Sequence, residues 1–383
     1  MKSLLFLLVF TLFCGAAALE VRCTSDLHGN LEGVAKLCTA LEIDSPEILR
    51  IDAGDTIQGT FLSRNDKGRS MIGALNLLKY DIWVPGNHDF EFGEKELSAR
   101  CREFKGVVLG ADWHSSGFIP KSWVLLHKDG QRVAVIGLTE PNMSRRLPEN
   151  SGFIFKPPLE TLTALMPEIR RAKPDFIILV WHNSLFSKLG PLSRILRKFP
   201  EIDLVIGGHS HEEHPGKRIG KSYFIQAGKY AQCAGGATLT KENITSKLLR
   251  PAASVQPPEL AELVKNTLHI SRLLGAQTIE LKHTPAETLR QKLKTDAAII
   301  TYRPPLKRRM TRQEYFDMLP YENTYVIRFL TPSAFRKFCK QQEKDQKRWG
   351  MKLDTAGKLP PQGGTVALSF FLATRLEQTG NGQ

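Results

Sequence analysis

The stretch IWVPGNHDFEFG, residues 82–93, joins a short apolar run to a glycine and to side chains that bind metals. The run Ile82 to Val84 is typical of a buried β-strand. Gly86 permits a tight turn directly after it, and Asn87 and His88 follow at once. A strand that delivers such side chains at its carboxyl end predicts an α/β fold with a site at the sheet edge.

The same pattern, an apolar run followed by side chains that bind metals, recurs at four other places in the first 211 residues. With that first stretch, the five segments are Asp26-Leu27-His28 after the run around Val21, Gly54-Asp55 after Ile51, Gly86-Asn87-His88 after Val84, His182-Asn183 after Val180, and Gly207-Gly208-His209-Ser210-His211 after Ile206. They contain five of the ten histidines of the chain. Because the carboxyl ends of the strands of an open α/β sheet face one crevice, we expect these side chains to meet there.

The segment from residue 20 to about 250 alternates β-branched apolar runs with helical patterns, which predicts one α/β domain. The predicted strands cover 21–23, 48–51, 82–84, 133–138, 176–180 and 204–206, and the predicted helices cover 31–41, 70–79, 94–104, 159–172 and 189–198. The proline-rich stretch 251–258 reads as a linker, and a helix is expected at 259–274.

The composition is that of an ordinary globular protein, with 383 residues, 42% of them apolar and 24% charged. Collagen-like, coiled-coil and disordered chains are excluded, and the length suggests two domains. The net charge of +14 favours an anionic partner, either a polyanion or a phosphorylated small molecule. Residues 251–383 hold 21 basic and 12 acidic side chains, and so carry nine of these charges.

The segment 1–18 has the form of an export signal, with Lys2, an apolar run from Leu4 to Phe13 and the small residues Ala16 to Ala18. The run is about half of the roughly 20 residues needed to span a bilayer, so no stable membrane span is expected. We therefore expect a periplasmic or secreted protein. Five cysteines remain after cleavage, without a paired spacing, and this number and spacing do not indicate a disulfide framework.

Seven side chains of the strand-end segments are candidate metal ligands. They are Asp26, His28, Asp55, Asn87, His182, His209 and His211. The set offers oxygen and imidazole without thiolate, which suits Zn²⁺, Mn²⁺, Fe or Co²⁺. Seven ligands exceed the need of one open site, so we expect two divalent ions that share a carboxylate.

The order D-x-H, G-D-x-x-x-G, G-N-H-D/E, H-N and G-G-H-x-H resembles the calcineurin-like metallophosphoesterases. The strings at 51–59, 86–93, 135–139 and 226–228 are similar to the 5'-nucleotidase and UDP-sugar hydrolase branch of that family. The resemblance implies a four-layer αββα sandwich followed by a reduced C-terminal 5'-nucleotidase-like α/β domain. We accordingly predict a signal peptide at 1–18, a catalytic domain at 19–250, a linker and helix at 251–274, and the reduced domain at 275–383.

The resemblance also implies a role for each site residue. One ion would be held by Asp26, His28 and His211 and the other by Asn87, His182 and His209, with Asp55 bridging the two. Hydrolysis would proceed by a metal-activated hydroxide. His88 and Asn87 would contact the substrate phosphate, and His88 would be catalytic. The acidic residue that orients His88 would be Glu91, where the family usually has aspartate, and Asp89 is the alternative.

The second half of the chain departs further from the family. Residues 316–333 and 364–373 are similar to its C-terminal segments, and Tyr321 occupies the place of an aromatic residue that stacks on the nucleobase. The alternative for Tyr321 is a partly buried core aromatic. The glycine-rich loop expected before it is replaced by 301–307. The phosphate chemistry is therefore predicted more directly than the substrate.

The leading interpretation is an exported phosphoesterase of small phosphate esters, with 5'-nucleotides as first candidates and a role in nucleotide catabolism. The same site could act on a cyclic phosphodiester, a UDP-sugar pyrophosphate or a thiosulfate-type conjugate. A non-catalytic binding protein on this fold is a further alternative, although every ligand position holds a competent residue. Binding of nucleic acid is not expected, because aromatic residues do not interleave with the basic ones, and the sequence carries no signal for an oligomeric state.

Overall fold

The computed structural model describes residues 18–147, 150–185, 192–252, 256–280, 286–287, 290–291, 294–295, 297–302, 309–318, 325–330, 332–348, 352–362 and 364–369. Tyr321 and residues 1–17 of the predicted export signal lie outside the described residues. In chain order the strands are β1 (Leu19–Thr24), β2 (Leu49–Asp52), β3 (Ile82–Trp83), β4 (Val107–Val108), β5 (Trp113–Ser115), β6 (Trp123–Lys128), β7 (Gln131–Leu138), β8 (Phe153–Phe155), β9 (Phe176–Trp181), β10 (Leu204–Gly207), β11 (Glu213–Ile219), β12 (Ser222–Ala227), β13 (Ala234–Leu239), β14 (Ile244–Leu249), β15 (Thr278–Glu280), β16 (Ala297–Tyr302), β17 (Arg309–Thr311), β18 (Tyr325–Leu330), β19 (Lys352–Gly357) and β20 (Gly364–Ser369). The α-helices are α1 (Leu31–Ala35), α2 (Cys38–Leu41), α3 (Phe61–Asp66), α4 (Arg69–Leu77), α5 (Glu94–Glu103), α6 (Met143–Arg146), α7 (Pro158–Arg171), α8 (Leu192–Lys198), α9 (Pro258–Gly275), α10 (Arg312–Met318) and α11 (Pro332–Arg348), and a 3₁₀ helix covers Asn87–Phe92.

Two six-stranded sheets form the first part of the chain. The first sheet has the order β14-β13-β1-β2-β3-β4, in which β1 to β4 run parallel and β13 pairs antiparallel with β1. The second has the order β11-β12-β10-β9-β7-β6, in which β12, β10, β9 and β7 run parallel and the two outer strands are antiparallel. The parallel strands bring the carboxyl ends of β1, β2, β3, β9 and β10 to one side of the molecule.

The two sheets pack face to face. Val21 and Ile51 of the first sheet share one buried core with Val135, Ile178 and Ile206 of the second. A second core lies between the first sheet and helices α1 to α5. A third lies between the second sheet and helices α7 and α8. The result is a layered αββα arrangement, which confirms the predicted fold class.

Helix α9 packs onto the helices of the first sheet. Leu260 is fully buried among them, and Leu263 lies 3.2 Å from the position that a Cβ on Gly73 of α4 would take. The helix predicted at 259–274 therefore exists, and it packs as part of the outer helical layer. The boundaries of the predicted domains stay predictions.

The described part of the chain beyond α9 contains a four-stranded sheet of order β18-β20-β16-β19 and a strand pair, β15 with β17. Helix α10 contacts the first part of the molecule, because the ring of Phe316 lies edge-on to that of Phe61 with centroids 5.8 Å apart. Arg64 of α3 lies over the same Phe316 ring.

The five cysteines that follow the predicted signal are free thiols, and four of them are buried: Cys23, Cys38, Cys101 and Cys233. Burial raises the pKa of the Cys23 thiol to about 12. These side chains behave as small apolar groups of the core. Among the described helices, none has the combined length and apolar character that a membrane crossing requires.

Candidate metal centre

The seven predicted ligands lie together where the parallel strands end. Asp26 and His28 follow β1, Asp55 follows β2, and Asn87 follows β3. His182 comes directly after β9, and His209 and His211 come after β10. Strands from both sheets therefore contribute to one cluster at the edge of the sandwich.

Two triads can be distinguished within this cluster. Asp26, His28 and His211 form the first, and Asp55, His182 and His209 form the second. Within each triad, the candidate ligand atoms all lie within 4.8 Å of one another. Asn87 adjoins the second triad, since its Oδ1 lies 2.8 Å from Nδ1 of His209.

Asp55 belongs to the second triad and also faces the first. Its Oδ2 lies 3.2 Å from Nε2 of His182 and 3.9 Å from Nε2 of His28. Its Oδ1 accepts a hydrogen bond from the backbone N–H of His88 at 2.8 Å. One fully buried carboxylate therefore lies between the two groups of imidazoles.

The backbone at the cluster is held in an unusual conformation. Asp26, His28, Asp55, His209 and His211 all have positive φ, between 47° and 74°. Residues with side chains rarely adopt this region, at a cost of about 1–3 kcal/mol each, and such positions concentrate at functional sites.

Gly86 lets two of the loops approach each other. A Cβ at this position would lie 2.4 Å from Oδ1 of Asp55 and 2.7 Å from Cε1 of His182. A side chain would therefore displace the Asp55 carboxylate, which lies between the imidazoles of the two triads.

Backbone carbonyls fix the orientation of two imidazole rings. Nδ1 of His182 lies 2.7 Å from the carbonyl of Ala53, and Nδ1 of His28 lies 3.2 Å from that of Gln58. The carbonyls require N–H at both Nδ1 positions, so each ring directs Nε2 to the cluster, and this is the atom that could bind a metal ion once it is deprotonated.

The residues present fit a pair of metal ions. Nε2 of His28 and Nε2 of His211 lie only 2.9 Å apart, and Nε2 of His182 faces the buried carboxylate of Asp55 at 3.2 Å. Lone pairs that converge in this way repel one another unless a cation or a proton lies between them. Oxygen and imidazole donors without thiolate suit a divalent ion of intermediate hardness.

Burial and charge set the protonation of the cluster. Burial lowers the pKa of His28 and of His209 to about 3, which keeps both rings neutral, as ligands must be. Burial by itself would raise the pKa of Asp55, but the charges of His182 and His88 outweigh it and hold that pKa well below the usual value. A buried carboxylate stabilised by adjacent positive charge suits a cation site.

His88 is paired with Glu91. Nδ1 of His88 lies 2.6 Å from Oε1 of Glu91, one turn along the 3₁₀ helix. Burial lowers the pKa of His88, but the carboxylates of Glu91 and Asp55 outweigh this effect and raise it to about 9. The ring of His88 also lies edge-on to His28, with centroids 5.3 Å apart. His88 therefore lies beside the first triad, with a partner that orients its ring.

Asp89 has a different environment from Glu91. Its two carboxylate oxygens accept backbone N–H groups at 2.8–2.9 Å from Gly86, Asp55, Thr56 and Ile57. The side chain is fully buried and is directed away from His88 towards these loops. Of the two predicted partners of His88, the structure thus pairs Glu91 with the imidazole, while Asp89 ties the 3₁₀ helix to the Asp55 loop.

Two residues near the cluster were missed by sequence reasoning. Tyr230 lies beside His28 and His211, with ring centroids 5.6 and 6.0 Å away. Arg146, paired through Nε with Oε2 of Glu140 at 2.5 Å, carries a charge that disfavours the protonated form of both His88 and His209. At His88 the carboxylates of Glu91 and Asp55 outweigh this effect, and at His209 it adds to the larger effect of burial. Neither Tyr230 nor Arg146 belongs to a motif of metal-ligand type, so spacing gave no signal for them.

An αββα sandwich with two adjoining histidine–aspartate triads at its strand ends defines a metal-dependent phosphoester hydrolase. Residues 19–213 match the calcineurin-like phosphoesterase family, and the chain belongs to that family. The family resemblance inferred from the sequence motifs is confirmed.

Known proteins support the same class. The chain is 28% identical to a 5'-nucleotidase of Rattus norvegicus in an alignment of 247 positions that covers 55% of this chain and 41% of that protein. It therefore spans about two fifths of the length of the curated relative that it matches.

Solved structures share the fold at low sequence identity. A 5'-nucleotidase precursor from Thermus thermophilus superposes with a TM-score of 0.67 at 16% identity, over 94% of this chain and 92% of that one. The sulfate thiohydrolase SoxB of Thermus thermophilus gives 0.67 at 13% identity, over 95% and 90%. The NAD nucleotidase of Haemophilus influenzae gives 0.66 at 15% identity, over 95% and 94%.

Proposed function

We propose that the protein is an exported phosphoesterase with two metal ions, which hydrolyses small phosphate esters and in particular 5'-nucleotides. The observation that carries the proposal is the position of Asp55. One buried carboxylate lies 3.2 Å from an imidazole of one triad and 3.9 Å from an imidazole of the other. A carboxylate shared in this way is what two adjacent ions require.

Each ion would have its own ligand set. Asp26, His28 and His211 would hold one, and Asn87, His182 and His209 the other, with Asp55 contributing to both. The donor types support Zn²⁺, Mn²⁺, Fe or Co²⁺. When bound, such ions supply Lewis acidity and a water of lowered pKa.

The protein side chains would position and neutralise the phosphate. His88 would hold a proton at Nε2 and donate it to a phosphoryl oxygen or to the leaving oxygen, because Glu91 occupies its Nδ1. Asn87 would contact the phosphate from the edge of the second triad. Asp89 would keep the Asp55 loop and the 3₁₀ helix in register by its four backbone hydrogen bonds.

The choice of 5'-nucleotides rests on the relatives and on charge. The curated relative in the rat is a 5'-nucleotidase, and the net charge of +14 favours an anionic substrate. A nucleobase would stack on Tyr321, which lies outside the described residues.

The proposal of export rests on the apolar run and the small residues at 4–18. A mature protein that begins near residue 19 and is found in the culture fluid or the periplasm would support it.

The test is a metal and substrate screen with one variant. The purified protein, loaded in turn with Mn²⁺, Zn²⁺ or Co²⁺, is assayed with AMP, UDP-glucose, 2',3'-cyclic AMP and bis(p-nitrophenyl) phosphate. We expect AMP to be the best substrate and about two ions per chain by elemental analysis. Asp55→Asn should lower the metal content, and it should lower turnover by more than a hundredfold.

Other outcomes of the screen are equally informative. A preference for UDP-glucose or for either diester would keep the two-metal site and change the bond that is cleaved. Full turnover by Asp55→Asn would contradict the shared-carboxylate arrangement. Metal binding without turnover of any of these esters would favour a binding protein on this fold.

A further inference from the structure

An aromatic side chain lies at the open side of the first triad without belonging to it. Tyr230 retains 43% of its surface exposed, whereas the neighbouring His28 is buried. Its ring centroid lies 5.6 Å from that of His28 and 6.0 Å from that of His211. A half-exposed tyrosine thus contacts two rings of the candidate ligands.

The backbone holds Tyr230 at this place from both sides. Its N–H donates to the carbonyl of Asp26 at 2.8 Å, and its own carbonyl accepts from Nδ2 of Asn30 at 2.8 Å. Both partners belong to the loop and helix start that follow β1 and carry His28. Tyr230 and the triad residue Asp26 are therefore fixed to each other directly.

The local conformation is costly. Tyr230 and Ala231 have φ of 53° and 56°, two consecutive left-handed residues that are not glycine. Such conformations persist where the surroundings determine them, at about 1–3 kcal/mol each. Glycine would relieve this strain at position 230 but would leave no ring beside the triad.

Lys229 adds positive charge to the same place. Its Nζ lies 5.2 Å from the centroid of the Tyr230 ring, and its charge lowers the pKa of His211 further, although burial is the main cause of that shift. An anion at the triad would therefore meet a cation and an aromatic face on one side. Both features suit a phosphate ester whose carbon part is a ring.

We propose that Tyr230 is a specificity-determining residue, whose ring packs against the sugar or aryl ring of the substrate next to the ester oxygen. The proposal rests on the proposed function and goes beyond it, because it selects ring-bearing leaving groups. Contact between two aromatic rings contributes about 0.6–1.4 kcal/mol, which corresponds to about 3- to 10-fold in affinity.

The experiment measures binding instead of turnover. Methylphosphonate and benzylphosphonate share the anionic group and differ by the ring, and neither has a P–O–C bond to hydrolyse. Their dissociation constants are measured by calorimetry on Mn²⁺-loaded wild type, Tyr230→Leu and Tyr230→Phe. Leucine keeps an apolar side chain and the same backbone strain, and phenylalanine keeps the ring.

Tyr223→Leu is the matched control. Tyr223 also has a cation over its ring, Arg218 at 5.2 Å, but it pairs with Leu204 at the start of β10, whereas His209 and His211 follow the other end of that strand.

We expect wild type and Tyr230→Phe to bind benzylphosphonate more tightly than methylphosphonate. Tyr230→Leu should lose about 3- to 10-fold for benzylphosphonate and less than twofold for methylphosphonate, with unchanged metal content. Equal losses for both ligands, or no loss for either, would overturn the inference. If neither ligand binds metal-loaded wild type, the anion site fails and the proposed function fails with it.

Discussion

Oε1 of Glu91 lies 2.6 Å from Nδ1 of His88, one turn apart on the 3₁₀ helix that follows β3. The pair is partly buried, so the carboxylate acts on the imidazole with little screening by solvent. The longer side chain of glutamate reaches the ring where the family usually has aspartate. Glu91, and not Asp89, is thus the acidic residue that pairs with the His88 ring.

Glu91→Gln should lower kcat by about 10- to 100-fold and leave KM and metal content within about twofold. The amide keeps the shape and one acceptor, but it removes the charge that favours the protonated imidazole. Steady-state kinetics with AMP and elemental analysis provide the check. Glu91→Asp should recover part of the loss. A change in KM alone, or a loss of metal, would show that Glu91 acts on the structure of the site and not on His88.

Asp89 should matter for stability and for metal affinity. Asp89→Asn places an NH₂ group where two backbone N–H groups now donate, which leaves buried donors without acceptors at about 1–3 kcal/mol. We expect a lower free energy of unfolding, measured by urea denaturation of the metal-free protein, together with weaker metal binding. If Asp89→Asn unfolded at the same urea midpoint as the wild type, the backbone hydrogen bonds of this carboxylate would not stabilise the fold.

The site was more predictable from the sequence than the topology around it. His182, His209 and the other predicted ligands follow runs whose apolar pattern marks strands, so their meeting follows from the geometry of parallel strands. Tyr230 and Arg146 could not be found in this way. Each lies in a loop or a short helix outside those motifs, and only the tertiary fold brings it to the cluster.

Two antiparallel strands show where pattern reading fails. Strand β11, Glu213–Ile219, lies at the edge of the second sheet and is largely exposed and polar, because an antiparallel edge strand does not need both faces buried. Strand β13, Ala234–Leu239, lies between β14 and β1 and is largely buried, but its two consecutive glycines interrupt the apolar run that would mark a strand. The single helix predicted at 31–41 is in fact two, α1 and α2, since Lys36 and Leu37 separate them.

Asp112 should make the stability of the metal-free protein depend on pH. It is fully buried, and both of its carboxylate oxygens accept the N–H of Thr139, at 3.1 and 3.2 Å. Burial raises its pKa to about 7 in the folded state, against about 3.9 when unfolded. Because the folded pKa is the higher one, this contribution to stability is complete below pH about 4 and is lost as the pH rises through 7.

Asp112→Asn should therefore flatten the fall of stability between pH 4 and 7. The neutral amide can still accept from Thr139 through its oxygen, so the variant mimics the protonated acid at every pH. Thermal unfolding of wild type and variant, measured at pH 5, 6, 7 and 8, gives the comparison. The two melting temperatures should diverge with rising pH in favour of the variant, and parallel curves would assign the pH dependence to other groups.

Helix α9 offers a test of whether the outer layer of the first sheet extends beyond the predicted catalytic domain. Leu260 is fully buried against that layer, while Leu273 on the same helix is 60% exposed. Leu260→Ala should cost about 2–5 kcal/mol, since a buried leucine leaves a cavity. Leu273→Ala should change the free energy of unfolding by less than about 0.5 kcal/mol, because it lies on the surface.

The pair controls for helix propensity, because both variants replace leucine with alanine in one helix. The free energies come from urea unfolding of the metal-free protein, followed by a probe in the first domain such as the fluorescence of the buried Trp83 and Trp181. A loss at Leu260 that moves this unfolding transition would show that α9 and the sandwich unfold together. A transition unaffected by Leu260→Ala would instead make 251–274 the separate connector that its proline-rich sequence predicts.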